Sequence, residues 1–380
     1  MQSELYKRKR GSQFNLMPIP LIDLKAQYRS IKQELDEAIQ RVIDEARFVL
    51  GPDVTAFEQE MGLYLGVKYS VGVSSGTDAL EISLLALGIG EGDEIITTPF
   101  TFIATAEAIY NTGAKPVFVD IDPKTFCLNT ALIEEKITKN TRAILPVHLY
   151  GHPAEMGEIL DLANKHNLKV IEDCAQSLGA EYKGNKVGSI GHVGCLSFFP
   201  GKNLGCFGDG GMVATNDERV YEMAKMLRHH GSKKKYYHSV SGFNSRLDTL
   251  QAAILRVKLK YLDEWNKKRR EKAALYKEML CANGLIGVPY VSQEVIHSFN
   301  YYTVRIKDRT EFQQRLKQAE IGNMVYYPLS LHLQEVYQGL GYNRGDFLEA
   351  EKAQEEVLSL PMFAELLPEQ IKEISGVLNK

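Results

Sequence analysis

Three short runs decide the fold: Pro116-Val117-Phe118-Val119, Ala143-Ile144-Leu145 and Lys169-Val170-Ile171-Glu172-Asp173. Their apolar residues fall at consecutive positions, not alternate ones. A strand apolar on both faces is buried on both faces, as in a parallel sheet covered by helices. Working outward, strands are predicted at Tyr69–Val73, Glu94–Thr98, Pro116–Ile121, Arg142–Val147, Lys169–Glu172, Cys195–Phe199 and Met212–Thr215. Helical stretches at 77–87, 101–112, 153–167 and 217–229 separate them, which is the alternation of an α/β fold with a mostly parallel sheet flanked by helices.

Before this block, Ile31, Leu35, Ala38, Ile39, Val42, Ile43 and Ala46 recur at helical spacing, predicting one helix over 30–47. After it, Leu247, Leu250, Ala253, Ile254, Val257 and Tyr261 form one stripe, so Ser245–Leu280 reads as a single long helix. Short strands at Tyr301–Ile306 and Met324–Tyr327 and helices at 309–320 and 368–379 then suggest a smaller α+β domain. The expected organisation is a flexible tail at 1–18, a large domain at 19–245, a connecting helix at 246–280 and a small domain at 281–380.

The chain has 380 residues, 44% apolar and 24% charged, with a formal net charge of −3. That composition supports a sizeable core and gives no basic field for nucleic acid or an anionic membrane. No apolar run approaches the ~18 residues of a membrane span. Lys7-Arg8-Lys9-Arg10 is not followed by a signal-peptide core and reads as a solvated tail. Cys127, Cys174, Cys195, Cys206 and Cys281 form no CxxC pair, arguing against a disulfide framework and for a reducing, cytoplasmic setting.

Chemistry concentrates at three strand ends. Ser74-Ser75-Gly76-Thr77-Asp78 places hydroxyls and a glycine at a strand-to-helix turn, which suits either a phosphate on free backbone N–H groups or an ordinary helix cap; alone, the cap is the better reading. Asp173 ends a buried strand at the edge where open α/β sheets bind ligands, and serves equally well as a ring-nitrogen partner or a structural ion. Ser197-Phe198-Phe199-Pro200-Gly201-Lys202-Asn203-Leu204-Gly205, followed by Gly208-Asp209-Gly210-Gly211, sets a lysine between a buried strand and a glycine-rich stretch. Partial burial lowers a lysine's pKa and favours Schiff-base chemistry. A P-loop fails, because the GxxxxGK[ST] spacing is absent. No metal-ligand spacing or Ser–His–Asp arrangement competes. A phosphate cradle, a strand-end acid and a buried lysine are the parts of a pyridoxal phosphate site.

At this point the chain resembles the DegT/DnrJ/EryC1/StrS family of sugar aminotransferases, which have the fold-type I aminotransferase fold. The resemblance runs from about Ile19 to the C-terminus. It is carried by Ser74–Leu80, Thr98–Thr105 (TPFTFIAT), Glu172–Ala180 (EDCAQSLGA), Ser197–Gly211, Gly242–Ala253 (GFNSRLDTLQAA) and Tyr326–Gln334 (YYPLSLHLQ). It implies pyridoxal 5'-phosphate bound covalently by Lys202, with pyridoxamine 5'-phosphate as the intermediate form. Asp173 would pair with the ring nitrogen and Gln176 with the phenolic oxygen. Gly76, Thr77 and Ser197 would hold the phosphate, and Phe102 would stack on the ring. Asn244 would reach the phosphate of a neighbouring subunit, implying a homodimer with shared sites.

The substrates implied are an amino-acid donor, glutamate, and a keto-sugar carried on dTDP or UDP, with C3 amination favoured over C4. The setting is deoxyamino-sugar biosynthesis, as for lipopolysaccharide or O-antigen. Tyr327 and His332 are expected to face substrate, with Lys25, Tyr28 and Arg29 as further candidates and the basic, aromatic 233–238 loop near a partner's mouth. His148 sits near the cofactor or merely closes a strand. Cys174 and Cys206 stand where relatives often have alanine, and are expected to pack; a cysteine-assisted lyase is the reading they would otherwise support. A sugar dehydratase is a further alternative, disfavoured by Lys202, since relatives of that branch carry histidine there. A regulatory protein that keeps the cofactor without turnover is the alternative from another class.

Overall fold

A computed structural model describes residues 18–380; the expected tail falls almost wholly outside them. Seven strands form the central sheet: β1 (Tyr69–Val73), β2 (Glu94–Thr97), β3 (Lys115–Phe118), β4 (Thr141–Ile144), β5 (Lys169–Asp173), β6 (Val193–Ser197) and β7 (Gly211–Thr215). Their order is β1-β7-β6-β5-β4-β2-β3. All neighbours run parallel except β7, which is antiparallel to both β1 and β6. The seven strands predicted for this sheet are all present, Tyr69–Val73 with the expected bounds and the other six with an end displaced by one to three residues. The antiparallel sense of β7 was not legible, because a strand buried on both faces has the same residue pattern in either direction.

Apolar clusters cover both faces of the sheet. Val71, Ile82, Phe100, Ile109 and Ile171 belong to one, while Phe57, Leu196, Met212 and Leu255 pack on the other. The helices beneath them include Gly76–Ala86, Ala104–Asn111, Glu218–Leu227, Pro52–Leu65 and Thr249–Leu259.

The helix predicted over 30–47 is present as Lys32–Glu45, preceded across Ile31 by a short helix, Leu24–Ser30, that was not predicted. Two expectations change. The long helix is two, Thr249–Leu259 and Leu262–Leu280, meeting at a break around Lys260 and Tyr261. Its apolar stripe stops at Tyr261, where the charged run from Asp263 onward begins. Met324–Tyr327 is not a strand: only Met324 bridges, to Ser359.

The smaller sheet joins Ile286–Gly287, Tyr302–Ile306 and Val357–Leu360, in antiparallel pairs. Val357–Leu360 was missed because its run VLSL directly follows the helix Leu348–Glu356 with no turn residue between them. The expected boundaries also shift. Ile19 bridges Ile321 and shares a core with Tyr276, Tyr302 and Leu360, so the described N-terminal segment packs with the C-terminal body. Conversely, Leu331, Tyr337, Phe347 and Ala350 complete the core of the large sheet. No helix among the described residues is long and apolar enough to cross a membrane.

Candidate active site

A cavity of about 450 Å³ opens at the C-terminal edge of β5 and is lined by Gly76, Thr77, Phe102, Asp173, Gln176, Ser197, Lys202 and Tyr327, among others. Eight residues named from the sequence thus converge, although they lie up to 251 positions apart in the chain (76 to 327).

The Gly76 end of the cavity is built by close packing. Ser75 caps the helix Gly76–Ala86, its Oγ accepting the Asp78 N–H at 3.0 Å. The cap satisfies Asp78 and leaves the Gly76 and Thr77 N–H groups at the first turn without an intrahelical bond, so a cap and an anion site are compatible here. Gly76 is required there: a Cβ would stand 2.6 Å from the Ser197 Cβ. Gly211 is equally constrained, since its Cβ would lie 2.1 Å from the Ser75 carbonyl. The helix dipole adds a partial positive charge at the same point. Ser74 and Ser245 both donate to the Asp78 carboxylate, which ties the turn to the segment before the helix Thr249–Leu259.

Asp173 is 5% exposed. Its Oδ2 accepts the Thr105 hydroxyl at 2.8 Å and its Oδ1 the Ala175 N–H at 3.1 Å. Thr101 stands 3.0 Å from the Thr105 hydroxyl and continues the chain of donors. Burial pushes the Asp173 carboxyl up, while Ala175, Thr105 and the Lys202 charge pull it back. Lys202 borders the same cavity. Burial draws its amine down to about 8, against the raising pull of Asp173. At neutral pH the pair therefore keeps an appreciable fraction of unprotonated amine. Thr101 and Thr105 escaped sequence reasoning as individual residues, although both lie in the TPFTFIAT segment.

A second buried lysine, Lys258, is also drawn down to about 8 by burial. It is not an alternative at this cavity: its Nζ is committed to the Gly205 carbonyl at 2.6 Å, and it does not border the space.

Gln176 is oriented by its neighbours. Its Oε1 accepts the Tyr150 N–H at 2.8 Å, leaving Nε2 to donate to the Tyr327 hydroxyl at 2.8 Å. Phe102 is 53% exposed at the cavity mouth, with its centroid 6.1 Å from that of Tyr327. An open flat ring above a buried carboxylate and a glycine-walled cradle fits a planar phosphorylated pyridine.

Other candidates lie elsewhere. His332 was expected to face substrate, but it is 1% exposed, bonds Glu351 at 3.1 Å and packs against Phe347. The short turn Leu331–Leu333 points it into the core. Lys25 and Arg29 are exposed and Tyr28 bonds Asp36 at 2.7 Å, none of them bordering the cavity. Asn244 is exposed and outside the cavity of its own chain; its Oδ1 accepts from Arg246 at 2.6 Å. It does not cap the following helix, whose first-turn boundary is Asp248.

His148 closes a strand end. Its Nδ1 accepts the Ala154 N–H at 2.9 Å, so its Nε2 carries the proton and donates to Glu172 at 3.0 Å. Glu172 also accepts from Gly188, Ile190 and Gly191. Cys174 and Cys206 are buried; burial pushes Cys206 up to about 11 and Cys174 well above the ordinary thiol range. Neither supplies a thiolate near neutrality, as packing roles require.

The family model of the DegT/DnrJ/EryC1/StrS aminotransferase family matches residues 29–379. The chain belongs to that family. A Geobacillus stearothermophilus protein named as a pleiotropic regulatory protein is 49% identical over 93% of this chain and 96% of the relative. A UDP-N-acetyl-3-dehydro-alpha-D-glucosamine 3-aminotransferase of Acidithiobacillus ferrooxidans is 45% identical over 95% of this chain and 97% of its own. The dTDP-3-amino-3,4,6-trideoxy-alpha-D-glucose transaminase of Streptomyces venezuelae is 43% identical over 94% and 95%. Among solved structures, S. venezuelae DesV in complex with a ketimine intermediate superposes with a TM-score of 0.93 at 43% identity, covering 95% of this chain and 98% of that one.

Proposed function

We propose that this enzyme, a nucleotide-sugar aminotransferase using pyridoxal phosphate, moves the amino group of L-glutamate to C3 of a keto-sugar carried on dTDP or UDP. The observation that carries the reading is Lys202 and Asp173 on one cavity with the Gly76–Thr77 cradle. C3 rests on the names of the two transaminase relatives.

When bound, the cofactor carries the amino group between two half-reactions and delocalises the charge left on the reacting carbon. The chain's own residues do the rest. Gly76 and Thr77 N–H groups and the Ser197 hydroxyl hold the phosphate. Asp173, aimed by Thr105 and Ala175, holds a proton on the ring nitrogen. Gln176 Nε2 has a second hydrogen for the phenolic oxygen. Phe102 covers one ring face. Lys202 Nζ would hold the cofactor and, when free of it, would take and return a proton at the reacting carbon.

In our reading the enzyme is a cytoplasmic homodimer with shared sites. Asn244 would donate Nδ2 to the partner's phosphate, which its outward, Arg246-oriented amide suits. The exposed basic hairpin Ser232–Lys234 with Tyr237–His238 would lie by the partner's mouth, where lysines could meet a diphosphate. Phe199, which lines the opening and is 56% exposed, suits burial against a second copy.

The regulatory name of one relative favours a second reading, binding without turnover. A screen separates them: the purified chain with pyridoxal phosphate, glutamate and 3-keto or 4-keto sugars on dTDP and UDP, with products identified by NMR. A 3-amino product supports the proposal and a 4-amino product corrects the position. Cofactor that glutamate never converts to the amine form supports the regulatory reading.

A further inference from the structure

Lys258 lies near the end of the helix Thr249–Leu259, is 1% exposed and forms no ion pair among the described residues. A buried ammonium with no carboxylate in contact, Glu365 acting on it only from a distance, is costly, and an apolar side chain of similar length would fit the site at less expense. Its contacts indicate what the charge does. Nζ donates to the Gly205 carbonyl at 2.6 Å and lies 4.6 Å from the Phe207 ring centroid. Gly205 and Phe207 belong to the loop 199–208 that carries Lys202.

The loop is otherwise held at its base and on one limb. The Lys202 N–H donates to the Phe199 carbonyl at 2.9 Å and the Cys206 N–H to the Phe198 carbonyl at 2.8 Å. Asn203 Nδ2 donates to the Ser298 carbonyl at 2.9 Å and to Asn266 at 2.6 Å. Gly205 presses its limb onto the other, since a Cβ there would stand 2.4 Å from the Pro200 carbonyl. That approach turns the Gly205 carbonyl to Lys258. The Phe207 N–H is fixed by Gln251 at 2.8 Å, on the same helix as Lys258.

We propose that Lys258 is a positioning residue: its ammonium grips the Gly205 carbonyl and the Phe207 ring, and so holds the Lys202 loop against the sheet with the Lys202 amine at the cavity floor. A charge-assisted bond shielded from water, with a cation–π contact beside it, makes a stronger tether than a neutral donor would. Lys258 acts through the backbone, because it does not border the cavity. The proposal rests on Lys202 being the residue that binds the cofactor.

The test reads the Lys202 amine in the cofactor-free chain, from the pH dependence of its reductive methylation, mapped by mass spectrometry. The wild-type midpoint should lie near 8, since burial holds it there. In Lys258→Met a loosened loop admits water, and the midpoint should rise by about one pH unit or more toward that of a free lysine. Phe207→Leu keeps the Lys258 charge but removes the ring, and should move the midpoint the same way by less. Midpoints unmoved in both variants overturn the proposal. If Lys258→Met does not fold, Phe207→Leu decides alone, its ring being half exposed and its loss tolerable. The underlying reading is checked separately, by borohydride trapping of pyridoxal phosphate on the wild-type chain. Trapping on a lysine other than Lys202 fails that reading, whatever the midpoints do.

Discussion

Gln176 donates from Nε2 to the Tyr327 hydroxyl at 2.8 Å, linking the end of β5 to the C-terminal third of the chain. The amide cannot be turned the other way without loss, because its Oε1 already accepts the Tyr150 N–H. Tyr327 therefore keeps its own hydroxyl proton for whatever occupies the cavity. Burial, first, holds that hydroxyl well above the usual phenol range, so it remains a donor throughout the working pH.

Tyr327→Phe isolates that hydroxyl, since the ring and its contact with Phe102 remain. Loss of one buried bond should cost about 1 kcal/mol of stability in urea unfolding. Cofactor binding should persist, while kcat/KM for the sugar half-reaction falls by about tenfold or more, one bond made near the reacting centre being worth that much. Unchanged kinetics with the same stability loss would leave Tyr327 a packing residue.

Lys202 gives a pH signature. Its folded pKa, about 8, lies below that of a free lysine because burial disfavours the charged form. Between the two values the unfolded chain binds more protons than the folded one, so this group's contribution to stability rises with pH across that window. Below about 8 the buried charge costs stability in full. Lys202→Met should therefore raise the unfolding free energy of the cofactor-free chain at pH 7, by on the order of 1 kcal/mol, and the gain should vanish above the free-lysine pKa. Urea unfolding at pH 7 and pH 10.5 measures both ends; a variant less stable at pH 7 would contradict the assignment.

Asp173→Asn tests the other half of the pair. Removing the carboxylate removes the pull that raises the Lys202 pKa, so the pH midpoint for covalent capture of pyridoxal phosphate should fall below about 8. Turnover should drop by about a hundredfold or more, since an amide cannot hold the ring nitrogen protonated. The two readouts separate the roles: capture persists while turnover is lost. Near wild-type turnover would make Asp173 structural.

What was legible in the sequence follows the physics of each element. Continuous apolar runs marked the buried strands, and lysine between a strand and glycines marked Lys202, because both are costly patterns without a reason. Strand direction was not legible, and of the smaller sheet only Tyr302–Ile306 was, because Ile286–Gly287 is too short to leave a pattern and Val357–Leu360 follows a helix directly. Tertiary contacts created the remaining differences. His332 looks polar in the YYPLSLHLQ segment, yet Glu351 and Phe347 complete its surroundings from a helix and loop further on. Thr105 is an ordinary helix residue until β5 brings Asp173 beside it. Lys258 had no signal of its own in the sequence, and it is the fold of the Lys202 loop that buries it.

Gly76→Ala tests the cradle by steric means. A Cβ held 2.6 Å from that of Ser197 forces the turn off the ends of the strands. Pyridoxal phosphate affinity should fall at least about tenfold, with a stability loss of about 1–3 kcal/mol from overpacking. Ser75→Ala serves as the control for the cap: about 1 kcal/mol of stability is expected to go, with the Gly76 and Thr77 N–H groups still in place. Equal affinity losses in the two variants would mean that the cap, and not the cradle geometry, governs binding.

The last prediction concerns ownership of the site. Asn244 lies outside its own cavity, exposed, four residues before the cap of the helix Thr249–Leu259. Arg246 holds its Oδ1 at 2.6 Å, which leaves Nδ2 pointing away as a donor. If that donor serves a partner's phosphate, Asn244→Asp keeps the Arg246 contact but sets a carboxylate against the phosphate. Its homodimer should bind pyridoxal phosphate at least about tenfold more weakly, a repelled charge in place of a charge-assisted bond. Mixed with Lys202→Ala chains, and with exchange demonstrated by tagged subunits, shared sites predict a return of activity. In each heterodimer one site then collects both defects and the other neither. Self-contained sites predict no return, because every chain keeps its own defect. Activity in the mixture that stays at the level of the two separate variants, under proven exchange, would assign Asn244 to its own chain and remove the catalytic reason for the dimer.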